Sequence, residues 1–301
     1  MNLNILNTEQ RNPNSMHIDE MDTTNILKTI NQEDKTIPNI IEGCIPQIQA
    51  LIDEAYQRLE QGGRLFYMGA GTSGRLGSLD ASECPPTYGV SPELVQGLMA
   101  GGNEAIYSSL IDDEDNEEAG QNDLKQHHLS AKDIVIGIAA SGRTPYVIGG
   151  LKYANEIGAL TGSISCVKDS TIAEISKYPI QAITGPEVIT GSSRMKAGTA
   201  QKLILNMIST TLMIQYGKVY ENLMIDVQPT NEKLVHRAIR IIQTILECSE
   251  QEAQGLLKHA HMDVKLAVTM GKTNKTIQEC QQALQNNKNN TKKAIEELIK
   301  V

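Results

Sequence analysis

Leu65-Phe-Tyr-Met-Gly-Ala-Gly-Thr-Ser-Gly74 is the stretch on which the fold turns. Leu65 to Met68 is a short apolar run, read as a buried strand because glycines bound it at once. Gly69, Gly71 and Gly74 then make a tight turn, and Thr72 and Ser73 open a helix. The same grammar recurs outward. Leu94 to Met99 is a second, weaker strand, closed by Gly101-Gly102. Asp133-Ile-Val-Ile-Gly-Ile-Ala-Ala140 is a third, followed by Ser141-Gly-Arg-Thr-Pro145, with Pro145 suited to the first turn of a helix. That helix runs to about Glu156, and Gly158 stops it. Leu160 to Val167 and Pro179 to Thr184 are the fourth and fifth strands, and a long helix covers about Ser193 to Tyr216.

Strands alternating with helices predict an α/β fold: a parallel sheet with helices on both faces, joined by right-handed crossovers. Three segments follow. Residues 1–60 are an extended arm, then helices broken near Pro38 and Pro46 that pack on the core. Residues 61–230 carry the sheet, and residues 231–301 are a small C-terminal helical subdomain. A shift of 27 residues in that subdomain pairs Ala253 with Cys280, Leu257 with Leu284, Lys265 with Lys292, Ala267 with Ala294 and Val268 with Ile295. Duplication and chance likeness of two amphipathic helix pairs both account for it.

Ligands in such sheets bind at the carboxyl ends of the strands. Three loops there are rich in Gly, Ser and Thr. Gly71, Thr72 and Ser73 offer backbone N–H groups and two hydroxyls at a helix start, which suits a phosphate monoester. A dinucleotide would need an acid ending the second strand for its ribose, and Met99-Ala-Gly-Gly102 has none. Ser141, Gly142, Arg143 and Thr144 repeat the pattern. Ser192, Ser193, Arg194 and Lys196 add local positive charge that the acidic total hides. A capped turn is the plainer alternative for each loop alone; three in one parallel sheet would converge on one mouth. Two carboxylates stand out nearby. Glu83 lies in Asp80-Ala-Ser-Glu-Cys-Pro-Pro86, where two prolines stop the helix, and Glu114 lies in the acidic run Ile111 to Glu118. A solvated helix face is the plainer account of that run.

The net charge of −9, from 27 Lys and Arg against 36 Asp and Glu, argues against a nucleic-acid partner. One Phe and no Trp leave no base-stacking platform. Five scattered cysteines suggest neither a disulfide framework nor a metal site. The Asn-rich start has no apolar signal segment. Leu203 to Gly217, interrupted by Asn206, Ser209, Thr210, Thr211 and Gln215, is too short and polar to span a bilayer. The expectation is a cytoplasmic protein with no membrane partner.

Several blocks resemble one family. Gly69-Ala-Gly-Thr-Ser-Gly-Arg-Leu-Gly77 with Leu79-Asp-Ala-Ser-Glu-Cys-Pro-Pro-Thr-Tyr-Gly89 is similar to the signature of N-acetylmuramic acid 6-phosphate etherases. Ala140-Ser-Gly-Arg-Thr-Pro-Tyr146, Thr190-Gly-Ser-Ser-Arg-Met-Lys-Ala-Gly-Thr199, Arg11-Asn-Pro13 and Asn222-Leu-Met-Ile-Asp-Val227 match further blocks. The resemblance implies a sugar isomerase (SIS) type phosphosugar-binding domain and a homodimeric lyase using no metal or cofactor. Such enzymes cleave the D-lactyl ether at C3 of N-acetylmuramic acid 6-phosphate, giving N-acetylglucosamine 6-phosphate and D-lactate in cell-wall sugar recycling. It implies Glu83 as proton donor and Glu114 as the second acid. Competing readings are an aldose–ketose isomerase on the same domain, a sugar-phosphate-sensing regulator such as the animal glucokinase regulator, and, more remotely, a nicotinamide dehydrogenase. The regulators carry two such domains in chains about twice as long.

Overall fold

A computed structural model describes residues 10–107, 113–227, 229 and 231–300. Residues 1–9 of the arm and Ile111 and Asp112 of the acidic run lie outside them. The chain forms two compact units. The first holds the described residues up to Ser82 together with Pro92–Ser209, and the second holds Glu83–Ser91 and the residues from Thr210 onward.

In the first unit α1 (Thr23–Asp34) and α2 (Ile37–Glu60) precede β1 (Leu65–Gly69), and α3 (Gly71–Tyr88) leaves β1 directly. There follow β2 (Val95–Met99), α4 (Glu117–Gln126), β3 (Ile134–Ile138), α5 (Pro145–Ile157), β4 (Leu160–Ser165), α6 (Thr171–Ile175), β5 (Tyr178–Gln181) and α7 (Lys196–Gln215). The five strands are all parallel, in the order β2-β1-β3-β4-β5. β1, β3 and β4 are buried along their whole length, because helices cover both faces. Side chains alternate between the faces. Phe66, Met68 and Val135 pack with Leu124 of α4 and Tyr146, Val147 and Leu151 of α5. On the other face, a Cβ at Gly77 of α3 would stand 3.0 Å from Tyr67, and one at Gly162 would stand 2.9 Å from Leu51 of α2. Each large side chain so enclosed stabilises the fold by about 1.5–3 kcal/mol.

Polar pins join the elements. Asp133, fully buried, accepts from the Arg64 main chain and guanidinium and from Ser130, fixing the amino ends of β1 and β3. Asp80 of α3 accepts from Asn206 at 2.7 Å and Ser209 at 3.1 Å on α7. Two of the polar residues that interrupt Leu203 to Gly217 are therefore there for an internal partner.

The prolines behave otherwise than expected. α2 runs unbroken through Pro46, with Pro38 in its first turn. Proline at position 46 removes one bond to the carbonyl of Glu42, which is exposed and open to water. α3 continues through Pro85 and Pro86 to Tyr88. The two missing N–H groups leave the carbonyls of Ala81 and Ser82 without their usual donors, and the Gly89 N–H closes the end on the Pro85 carbonyl at 2.9 Å.

In the second unit a hairpin of β6 (Val219–Tyr220) and β7 (Leu223–Met224) leads to α8 (Glu232–Leu246), α9 (Glu250–His259), α10 (Val264–Thr273), α11 (Ile277–Asn286) and α12 (Thr291–Lys300). A 27-residue shift carries α9 onto α11 and α10 onto α12, end for end. The capping box of Ser249 and Glu252 recurs as Thr276 and Glu279. Left-handed His261 and Met262 recur as Lys288 and Asn289, and left-handed Glu247 as Asn274. The repeat is structural. It departs at Lys265, which is buried and 2.8 Å from Asp226, whereas Lys292 is exposed. Asp226 also receives Lys218 at 2.6 Å, tying the hairpin segment to α10. Among the described residues no helix is long and apolar enough to cross a membrane.

Candidate active site

The strand order reverses at β1: the chain goes from β1 outward to β2, then returns to place β3 on the other side. Gly69 and Ile138 are register partners. The loops after β1 and β3 therefore leave adjacent carboxyl ends at a topological switch point, where open α/β sheets bind ligands.

The first loop is compressed by design of its glycines. A Cβ on Gly69 would stand 2.7 Å from the Gly74 nitrogen, and one on Gly74 would stand 2.6 Å from the Gly69 oxygen. This closeness turns the chain straight from β1 into α3. The Gly74 N–H returns to the Ala70 carbonyl at 3.1 Å. The amides of Gly71, Thr72 and Ser73 stand before it at the helix start, where the macrodipole favours an anion. Thr72 is half-buried, and Ser73 is buried with its hydroxyl donating to Gln201 Oε1 at 2.9 Å.

In the second loop Gly142 is left-handed, at φ +64°, and a Cβ there would lie 2.2 Å from Ser170. Only glycine lets the loop pass. Ser141 and Arg143 are half-buried, and Thr144 is buried at the start of α5. Thr144 makes no capping bond to its own helix; its hydroxyl lies toward the Glu114 carboxylate and favours the ionised form. The Glu114 carbonyl accepts from the Tyr146 N–H at 3.1 Å. Main chain and side chain both bring Glu114 to this loop. Burial, then the charge of Asp115, push its carboxyl above the ordinary glutamate range, and the Thr144 hydroxyl offsets only part of this.

The third loop approaches the first. A Cβ on Gly198 would stand 3.5 Å from Thr72 and 3.7 Å from the Ser193 oxygen. Ser192 and Ser193 are half-buried and Arg194 is exposed. Lys196 departs from expectation. It is 3% exposed, and its ammonium sits 2.7 Å from Glu33 of α1. Glu33 also accepts from Asn12 and Asn14 of the arm, each at 2.8 Å. Burial works to raise the Glu33 carboxyl, but the bonds from Lys196, Asn14 and Asn12 outweigh it and the net shift is downward. The start of α7 already carries a carboxylate, since Glu187 accepts from the Lys196 and Ala197 N–H groups at 2.9 Å each. This loop thus offers a ligand Ser192, Ser193 and Arg194, while Lys196 holds the loop's base.

Glu83 is an exposed residue of α3, roughly three turns beyond its start, and belongs to the second unit. Glu33, Glu187 and Gln201 carry no local signature in the sequence. Their partners lie far along the chain, so only the fold reveals them.

Residues 117–210 match the SIS domain family, and residues 47–155 match the glucokinase regulatory protein N-terminal SIS domain. Residues 221–289 match the C-terminal lid domain of glucokinase regulatory protein. Fold and loops together define an α/β protein of the SIS class. The chain is 57% identical over 290 residues to an N-acetylmuramic acid 6-phosphate etherase of Clostridium botulinum (strain Eklund 17B / Type B), with 96% of each chain covered. It is 53% identical over 295 residues to that of Lactobacillus acidophilus (strain ATCC 700396 / NCK56 / N2 / NCFM), covering 98% of this chain and 99% of the other. It is 50% identical over 295 residues to N-acetylmuramic acid 6-phosphate etherase 2 of Vibrio cholerae serotype O1 (strain ATCC 39315 / El Tor Inaba N16961), covering 98% and 96%. The chain belongs to the N-acetylmuramic acid 6-phosphate etherase family.

Proposed function

We propose that this chain cleaves the D-lactyl ether of N-acetylmuramic acid 6-phosphate, as a cytoplasmic homodimer in cell-wall sugar recycling. The observation that carries the reading is Glu114, half-buried and anchored through its carbonyl to the Tyr146 N–H at 3.1 Å beside a phosphate-type loop, with its carboxyl raised by burial. The 6-phosphate is assigned to the amides and hydroxyls of Gly71, Thr72 and Ser73, with Ser141, Gly142, Arg143, Thr144, Ser192, Ser193 and Arg194 around it. Ring opening exposes an aldehyde at C1, which acidifies the hydrogen at C2. Glu114 removes that proton as base; its raised pKa makes it the stronger base for the task. Glu83 protonates the ether oxygen at C3, lactate leaves, and an unsaturated aldehyde remains. Water then adds at C3, giving N-acetylglucosamine 6-phosphate. The phosphate loops supply orientation, worth at most about 7–11 kcal/mol.

The test is incubation with N-acetylmuramic acid 6-phosphate, without added metal or cofactor, and assay for D-lactate. The matches to glucokinase regulatory protein domains favour, as second reading, a sugar-phosphate sensor. Binding of the sugar phosphate with no lactate released would select it. An aldose–ketose isomerase would interconvert the sugar phosphate and leave the ether intact.

A further inference from the structure

Gln201 lies on α7, below the first phosphate loop, and is 1% exposed. Its Oε1 receives the Ser73 hydroxyl proton at 2.9 Å. Its Nε2 is buried with no hydrogen-bond partner among the described residues. Leaving amide donors buried and unmatched is costly, and such an arrangement calls for an explanation. The two ends of the amide are not equivalent to Ser73. While Oε1 faces Ser73, the serine proton points inward and cannot reach an anion above α3. With the amide turned over, Nε2 donates to Ser73 Oγ, and the serine proton is released toward the loop.

We propose that Gln201 is a positioning residue that sets the direction of the Ser73 hydroxyl, turning its amide so that Ser73 donates to the bound phosphate. This rests on the reading of Thr72 and Ser73 as phosphate ligands. A glutamine is suited to the role because it accepts through one end and donates through the other, within one shape. A carboxylate there can only accept, and would hold the serine proton permanently.

The experiment measures dissociation constants for inorganic phosphate and N-acetylglucosamine 6-phosphate by calorimetry. Ser73→Ala is placed in three backgrounds: wild type, Gln201→Glu and Gln201→Met. In wild type, loss of the hydroxyl should weaken binding by about tenfold or more. In Gln201→Glu it should change binding by less than about twofold, because the hydroxyl is already captive; the added charge weakens both members of that pair alike. In Gln201→Met no internal acceptor competes, so the Ser73→Ala factor should exceed its wild-type value. The Met variant keeps volume and neutrality, and decides the matter if Gln201→Glu fails to fold: a factor equal to or below wild type overturns the proposal. An equal factor in all three backgrounds gives Gln201 no part. A factor lost in both variants makes Gln201 mere packing. If Ser73→Ala leaves wild-type binding untouched, the phosphate-loop reading itself fails, a result distinct from the others.

Discussion

Glu114 and Glu83 are the residues on which the proposed chemistry depends, and they sit in different surroundings. Glu114 is half-buried against Thr144, and Glu83 is exposed on α3. A base works only when ionised, and a raised pKa means that protonation sets in earlier as pH falls. The acidic limb of C2 hydrogen exchange in deuterium oxide should therefore have its midpoint above the ordinary glutamate value, about 4.3. Thr144→Val removes the hydroxyl that favours the ionised form, so the midpoint should move further up. A midpoint that stays or moves down would show that Glu114 is not the group titrating. Substitution separates the two roles. Glu83→Gln cannot protonate the leaving oxygen, so lactate release should fall by about 10²-fold or more while exchange continues. Glu114→Gln should lose both. Proton NMR of recovered substrate reads exchange; exchange lost in Glu83→Gln and kept in Glu114→Gln would reverse the assignment.

At the scale of elements, the start of α7 is held by parts far apart in the chain: Glu187 caps it, and Lys196 is clamped to Glu33 and the arm. Glu33→Gln leaves the Lys196 ammonium buried without its counter-charge, which costs about 3–5 kcal/mol. The sign follows from the Glu33 shift. A carboxyl lowered in the folded state contributes stability above its unfolded pKa, and loses it as pH falls through the folded pKa. The variant should melt several degrees below wild type at neutral pH, with the gap closing as the solution is acidified below the carboxylate range. Equal melting temperatures at neutral pH would mean that the pair is not a latch. This arrangement also marks where the sequence stops being legible. Strands and loops are written in local patterns, so β1, β3 and β4 and the loops after them could be read residue by residue. The service of Lys196 is not local: from position 196 outward it looks like one more phosphate ligand, and only Glu33, 163 residues away in the bond, shows otherwise. Pro46, Pro85 and Pro86 mislead for a related reason. A proline's effect depends on how exposed its orphaned carbonyl is and how much helix remains, and neither is written beside it.

For the molecule as a whole, the 27-residue repeat was visible as a few matched residues and became certain only through matched caps and left-handed turns, which are backbone facts. The proposed homodimer is a matter of surfaces. Leu79 of α3 is 55% exposed and Met207 of α7 is 38% exposed. They adjoin Asp80 and Asn206, whose hydrogen bond holds the two helices together, so both large apolar side chains flank one seam. Ile45 on α2 adds a further exposed apolar side chain, whereas Ile41, Ile48, Leu51 and Ile52 of that helix are buried. A second copy is the partner that would cover such faces in a closed pair. Glu83 follows Leu79 by four residues on α3, so both point from the same side of the helix. If that side meets a second copy, Glu83 of one subunit serves Glu114 of the other. The arithmetic of mixing tests this. Glu83→Gln and Glu114→Gln, each inactive alone, are unfolded and refolded together. Half of the dimers are then mixed, and in each of those one site has both native glutamates, so about a quarter of wild-type lactate release should return. If both residues come from one subunit, no mixing restores activity. Light scattering at micromolar concentration gives the independent check: a fully active monomer would leave the exposed seam of α3 and α7 without this purpose and return Glu83 to its own chain's site.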